Sequence, residues 1–193
     1  MRRKLVENPK SWFLTRLARD ARGAAALEIA IWTTVIVVPV FSAVDIGVYT
    51  YRKMQVEAAA QAAVAAAWRF CDTGAELPAV QNCYTGAETL VVRMRRAAQN
   101  TSLGTNITLT NANITDGWYC RNGSGDLALQ GSTATIGGSL SPTSAPTCPS
   151  STTKAGEYIK ATTTYTYTPI FSGLSVASLL GTSVSKTAWI RLR

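Results

Sequence analysis

The chain has 193 residues, of which 47% are hydrophobic and 16% charged, with four cysteines and no histidine. This length suits one modest domain, or one domain with a membrane anchor. A chain without histidine has no histidine-based triad or metal ligand, and the widely spaced cysteines do not match a zinc pattern. The composition therefore argues against an enzyme and predicts no catalytic, cofactor-binding or metal-binding residues.

The net charge of +8 is concentrated at the N-terminus. Residues 1–22 hold seven cations and two acids, whereas residues 24–51 have no cation and only Glu28 and Asp45 as charges. A basic cluster directly before an apolar run is the positive-inside signature of a cytoplasmic end. A nucleic-acid-binding chain would instead place its basic residues along one face or among stacking aromatic residues. The sequence therefore predicts a membrane partner and no nucleic-acid partner.

The apolar run from Ile29 to Val48 is twenty residues long, enough for a helix to cross the roughly 30 Å hydrocarbon core of a bilayer. We predict a basic cytoplasmic leader over residues 1–23, a transmembrane helix over 24–51 and an outer head over 52–193. A cleaved signal peptide is one alternative, but the apolar run is longer than the usual 7–15 residues. A buried core helix is the other, which hydropathy alone leaves open and the basic flank disfavours.

The remaining elements predict an α+β fold, in which one long helix packs on a small antiparallel sheet. The alanine-rich segment to Phe70 is strongly helix-forming, so the helix should continue unbroken from the membrane into the head. Alternation and composition then predict a short amphipathic helix, a half-buried strand, a flexible surface loop and two further strands. In chain order these elements are residues 87–100, 106–115 (with 118–121 extending or pairing with it), 122–153, 158–168 and 182–192.

All four cysteines follow the predicted membrane helix, and four cysteines allow three pairings. We favour Cys71–Cys83 and Cys120–Cys148, because each pair then brackets a loop. Four reduced cysteines are the alternative. Oxidised pairs would indicate a periplasmic or extracellular head.

A short motif lies where the basic leader meets the apolar run. Gly23 is followed by Glu28 at the fifth position, which resembles a prepilin-peptidase site of the type IV pilin superfamily. The resemblance implies cleavage after Gly23, so that Ala24 becomes the new N-terminus. Glu28 would then pair with the α-amino group of Ala24 in a neighbouring subunit. Alternatively, Glu28 is a carboxylate stabilised by the helix N-terminus and by water near the headgroups.

A longer pattern is more specific. Residues 19–28, then Pro39, then Asp45-Ile46-Gly47 and an alanine-rich helix resemble the TadE/TadG-like family of minor pilins and pseudopilins from the tight-adherence (Flp) pilus machinery. A threonine/tyrosine strand with Tyr167 and a Leu-Gly segment at residues 179–181 add to the similarity. Family members usually have phenylalanine after the glutamate, where this chain has Ile29, and the cysteine-containing centre matches no motif of the family.

The resemblance implies a pilin-like fold and a non-enzymatic role in pilus assembly. It also implies a bacterial inner-membrane location with a periplasmic head, and no small-molecule substrate. Other pilin subunits, the assembly platform and a prepilin peptidase would be the partners. Asp45 would make a polar contact between subunits or simply mark the outer headgroup boundary. The alternative function is a single-pass envelope protein whose disulfide-tied outer domain binds a ligand or partner.

Overall fold

The computed structural model of the chain describes residues 21–83, 89–149 and 151–193, so residues 1–20 of the predicted leader lie outside the described residues. Helix α1 runs from Ala21 to Phe70 as one element of 50 residues, with Pro39 inside it. At 1.5 Å per residue it is about 75 Å long. The prediction of one helix that continues from the apolar run through the alanine-rich segment is confirmed.

In the part of the chain that the structure describes, two shorter helices follow α1. Helix α2 spans Ala79–Asn82 and helix α3 spans Leu90–Gln99. Helix α3 is amphipathic, and its buried residues Leu90, Val91, Met94 and Ala98 recur at helical spacing. Four single 3-10 turns connect the elements, at Gly74–Glu76, Gly104–Asn106, Asn111–Asn113 and Val176–Leu179.

The five strands form one antiparallel sheet in the order β2-β1-β4-β5, and β3 also pairs with β1. Their bounds are Ile114–Arg121 for β1, Leu127–Leu129 for β2, Ala134–Thr135 for β3, Gly156–Thr166 for β4 and Ser183–Arg191 for β5. Strands β2 and β3 pair with opposite ends of β1, at Tyr119↔Leu129 and Thr115↔Thr135. The α+β class, with a long helix on an antiparallel sheet, is confirmed.

The core lies between the second half of α1 and one face of the sheet. The buried helix residues are mostly small: Val56, Ala59, Ala60, Ala63, Val64 and Ala67. Alternate residues of β4 and β5 face them, among them Ile159, Ala161, Val184 and Ala188. Such alternation is typical of an antiparallel sheet with one buried and one solvated face. Alanine side chains allow the helix to approach this face closely.

Two predicted elements differ from the structure. Strand β1 begins only at Ile114, because the asparagine-rich residues before it form two 3-10 turns and a single bridge, Thr108↔Thr164. The segment predicted as a surface loop over 122–153 contains β2 and β3, and it buries Leu140. Trp118 Nε1 also donates to Pro142 O at 2.8 Å, so this segment is held against the edge of β1.

Candidate membrane anchor and its contacts with the head

The first half of α1 exposes a long apolar surface. The segment Gly23–Phe70 is long and apolar enough to cross a membrane, and only 11% of its most apolar window is buried. A helix in the core of a soluble domain would be mostly buried, so the structure argues against that alternative. Large apolar side chains project from several sides of the helix: Leu27, Ile29, Ile31, Trp32, Val35, Ile36, Val40, Val44 and Ile46. The helix thus indicates a single-pass membrane anchor.

The hydroxyl groups in the apolar run are satisfied within the helix. Thr33 Oγ1 donates to Ile29 O at 2.7 Å, and Thr34 Oγ1 donates to Ala30 O at 3.0 Å. Hydroxyls bonded one turn back need no water, which suits a helix surrounded by lipid. We refer to residues 24–51 as the anchor segment.

The Asp45 carboxylate fixes the head to the anchor segment. It is fully buried, and its Oδ1 and Oδ2 accept the backbone N–H groups of Ile170 at 2.9 Å and Phe171 at 3.2 Å. Ile170 and Phe171 belong to the connection between β4 and β5, residues 167–182, which we call the β4–β5 loop. The contacts of Asp45 in the structure are therefore within its own chain.

Other contacts extend this junction along the helix. Ser42 Oγ accepts the N–H of Val176 at 3.2 Å, and the rings of Phe41 and Phe171 stack with their centroids 4.4 Å apart. Tyr167 donates its hydroxyl to Asp45 O at 3.0 Å. Phe41 and Ser42 lie within the apolar run and contact the head, so these contacts favour an anchor that stays attached to the head over a cleaved signal peptide.

The three residues of the processing motif lie at the other end of the anchor segment. Gly23, Ala24 and Glu28 are all exposed on α1. The position that a Cβ of Gly23 would occupy has no neighbour within 4 Å among the described residues. Nothing in the described structure therefore requires glycine at position 23.

The structure pairs Cys71 with Cys83 and Cys120 with Cys148, with Cα–Cα distances of 5.9 and 5.7 Å. These are the two pairs that bracket loops, as favoured from the sequence. The first bond ties the chain just after α1 to the end of α2. The second ties the end of β1 to the segment that crosses back toward β4.

A buried pair of carboxyl groups holds α2 against the sheet, and nothing in the sequence pointed to it. The N–H of Ala79 donates to Asp116 Oδ2 at 3.0 Å and to Glu157 Oε1 at 2.9 Å. Both acids are almost completely buried. Burial and the adjacent Glu157 carboxylate raise the pKa of Asp116 to about 8. At neutral pH Asp116 is therefore mostly protonated.

Two carboxyl groups side by side can suggest acid–base chemistry or a metal site, but their surroundings indicate a structural role. Backbone N–H groups occupy three of the four buried carboxyl oxygens, including Asp116 Oδ1, which accepts Gly117 N at 2.7 Å. The fourth, Glu157 Oε2, has no hydrogen-bond partner among the described residues, and Arg193 Nη2 lies 3.7 Å from it. Within the described ranges, no group of three or more histidine, cysteine, aspartate or glutamate residues could hold a metal ion.

Comparison with known proteins gives a family match that covers the anchor segment. Residues 23–65 match the family model described as TadE-like protein. No curated protein and no solved structure matches the chain. The matched residues include the whole anchor segment and most of the head half of α1, so the family resemblance inferred from the sequence is confirmed there.

Proposed function

We propose that this chain, whose long N-terminal helix is TadE-like, is a non-enzymatic minor pilin or pseudopilin that takes part in assembling a tight-adherence (Flp, type IVb) pilus. The proposal rests above all on one observation. The first half of helix α1 is apolar and exposed, and its second half packs in the core of a folded head. In a pilus, the exposed apolar halves of neighbouring helices would pack together and join the subunits, while the heads would form the outer surface of the fibre.

The same proposal assigns an orientation. The basic leader would lie in the cytoplasm, the anchor segment in the inner membrane of a bacterium, and the head in the periplasm. The two disulfides of the head support this orientation, because such bonds persist in oxidising compartments. Other pilin subunits and the assembly platform would be its partners.

Processing at the membrane entrance is part of the proposal. A prepilin peptidase would hydrolyse the amide bond between Gly23 and Ala24 with one water molecule, leaving a free amine on Ala24. Glu28 is an exposed carboxylate that would lie near the edge of the hydrocarbon, where an unpaired charge is unfavourable. Pairing with the Ala24 amine of a neighbour would remove this cost and set the axial register of the packed helices.

The processing step is tested by the intact mass of the protein extracted from membranes of cells that contain an active prepilin peptidase. We expect the intact mass to be lower than that of the full chain by the mass of residues 1–23. Gly23→Leu should keep the full mass, whereas Gly47→Leu, a change at another helix glycine with open space around it, should be processed normally. Full-length wild-type protein beside an active peptidase would contradict this step.

The role of Glu28 is tested by Glu28→Gln, with Glu57→Gln on the same helix as the control. Glu57 lies in the head and pairs with Lys186 at 3.1 Å on the surface, where an ion pair contributes about 1 kcal/mol at most. We expect Glu28→Gln to reduce the number of pili per cell strongly without changing the amount of protein in the membrane fraction. Wild-type pilus numbers with Glu28→Gln would contradict the proposed pairing.

A further inference from the structure

The β4–β5 loop is unusually apolar for a surface connection. Between Lys160 and Lys186 the sequence has no charged residue. Four large apolar side chains of the loop are exposed: Ile170 at 61%, Leu174 at 53%, Val176 at 49% and Leu179 at 86%. A loop on a water-facing surface usually carries polar and charged side chains, and contiguous exposed apolar residues mark an interaction site.

The loop lies beside the anchor segment. Its backbone is hydrogen-bonded to Ser42 and Asp45, and its Phe171 ring stacks on Phe41. The helix itself exposes apolar side chains at this level, with Val44 and Ile46 on nearly opposite sides. The apolar surface of the helix therefore continues onto the loop.

The position of this contact along helix α1 corresponds to the outer boundary of the hydrocarbon core of a bilayer. Residues 24–44 alone span about 31 Å as a helix, which matches the roughly 30 Å hydrocarbon core. Asp45 then lies where acyl chains meet headgroups, about 10 Å below Arg52. The loop attached to Asp45 lies at the same boundary.

Several backbone N–H groups of the loop are hydrogen-bonded within the protein. Leu174 N and Ser175 N donate to Phe171 O, each at 3.1 Å, and Leu180 N donates to Ala177 O at 3.0 Å. Ser175 Oγ accepts the N–H of Ala177 at 3.0 Å. Together with the N–H groups bound by Asp45 and Ser42, these bonds satisfy seven backbone N–H groups of the loop within the protein. Unsatisfied backbone groups are costly in hydrocarbon, so the loop suits the boundary between headgroups and acyl chains, where its remaining polar groups can still reach water.

We propose that the β4–β5 loop is a second membrane contact of this protein, seated in the outer leaflet of the bilayer that α1 crosses. The side chains of Ile170, Leu174, Val176 and Leu179 enter the region between headgroups and acyl chains. The inference depends on the anchor in the proposed function and is independent of its role in a pilus. It places the head directly on the membrane surface, held by the helix and by the loop.

The test uses the full chain in vesicles of phosphatidylethanolamine and phosphatidylglycerol, with a spin label on one added cysteine. Leu179→Cys and Leu174→Cys probe the loop, and both side chains are exposed enough to accept a label without disturbing the core. Val40→Cys is the lipid control on the anchor segment, and Leu129→Cys is the water control on strand β2. Intact mass with one label per chain verifies that both disulfides are retained.

Collision rates with oxygen, which concentrates in lipid, and with a water-soluble nickel chelate separate the outcomes. We expect the oxygen-to-nickel ratio at residues 174 and 179 to be several-fold higher than at Leu129 and to approach that at Val40. A ratio equal to that at Leu129 would show a loop in water and overturn the proposal. If neither oxygen nor the nickel chelate reaches the labels, and the labels broaden each other's spectra, the loop is covered by a second copy of the chain. That result would also overturn the proposal. A water-like ratio at Val40 itself would instead disprove the anchor.

Discussion

Asp45 is the residue on which the junction between head and anchor depends. Both of its carboxylate oxygens accept backbone N–H groups from the β4–β5 loop, and its own carbonyl accepts the Tyr167 hydroxyl. A carboxylate is well suited to this position, because it accepts from several donors at once and charge-assisted bonds are stronger than neutral ones. In this chain the acid in an otherwise apolar run therefore connects two parts of the fold.

Replacing Asp45 by alanine should loosen this junction. The N–H groups of Ile170 and Phe171 would lose their acceptors, and each unsatisfied donor costs about 1–3 kcal/mol. We expect much faster amide hydrogen exchange over residues 167–180, measured by mass spectrometry on the full chain in detergent. Thr50→Ala is the control, because the Thr50 hydroxyl donates to Gly47 O of the same helix at 2.8 Å. Equal exchange in wild type and Asp45→Ala would contradict this role.

The Asp116–Glu157 pair makes stability depend on pH. The pKa of Asp116 is raised to about 8 in the folded protein from an ordinary value of 3.8. Between these values the folded protein keeps a proton that the unfolded chain releases, so stability falls as pH rises through this range. Glu157 also faces the Arg193 guanidinium at 3.7 Å, which partly compensates its charge once both acids are ionised.

Thermal unfolding should therefore begin at a lower temperature near pH 8 than near pH 5. Asp116→Asn should remove most of this difference, because an amide can donate to Glu157 and has no proton to lose. Asp126→Asn, at an exposed acid, should leave the pH dependence as it is in the wild type. A wild type equally stable at both pH values would show that the pair carries no such linkage.

Single residues show clearly what sequence analysis could and could not predict. The charge of Asp45 stands out in an apolar run, but its partners are 125 and 126 residues away. The Asp116–Glu157 pair had no signal at all, because each acid lies in an ordinary strand sequence and only the pairing of β1 with β4 brings them together. Sequence patterns record local spacing, whereas these contacts depend on long-range register.

At the scale of elements, helix α1 has two halves with different surroundings. The anchor segment exposes large side chains, whereas the head half buries mainly alanine and valine. Small side chains in the head half bring the helix axis close to β4 and β5. One bond shows how close the approach is, because the Thr163 hydroxyl on β4 donates to Val56 O of the helix at 3.0 Å.

Enlarging a small residue on the buried face should disturb this packing. Ala60 is fully buried, and Ala60→Leu should destabilise the head by about 1–3 kcal/mol through overpacking. Ala58→Leu is the matched control, because Ala58 is exposed on the same helix and leucine is also a good helix former. Thermal unfolding of both variants in the same detergent measures the difference. Equal stability of the two variants would contradict the close packing described for α1.

The elements that could be predicted are those with a strong local pattern. Helix α1 and strands β4 and β5 are long, and their composition or alternation extends over many residues. Strands β2 and β3 have three and two residues, too few to show a period, so the sequence around them resembled a loop. Residues 106–113 alternated like a strand, but asparagine and threonine favour local turns there.

At the scale of the whole molecule, the head depends on the helix that emerges from the membrane. Six buried residues between Val56 and Ala67 belong to the core, whereas the anchor segment adds the partly buried Val48 and Tyr49 at the margin of the core and the contacts with the β4–β5 loop. The head should therefore need the second half of α1 in order to fold, but not the first half.

Two truncated chains test this dependence, and both keep all four cysteines. Residues 52–193 retain the core half of α1 and should unfold cooperatively. Residues 71–193 lack it and should show no cooperative thermal transition, because the sheet loses the apolar cover of its buried face. Circular dichroism during heating measures both. A cooperative transition in the shorter chain at the same temperature would show that the helix is not part of the folding unit.

The single helix also has a mechanical consequence. Between Phe41 and Ala67, helix α1 packs first against the β4–β5 loop and then against the sheet. We therefore expect this stretch of the helix and the head to move as one rigid body. A displacement of this stretch along the helix axis therefore moves the head by the same distance. Pro39 lies just before these contacts and removes one backbone hydrogen bond of the helix, which is the usual cause of a bend in a helix. The chain can therefore transmit an axial displacement between its anchor segment and its head.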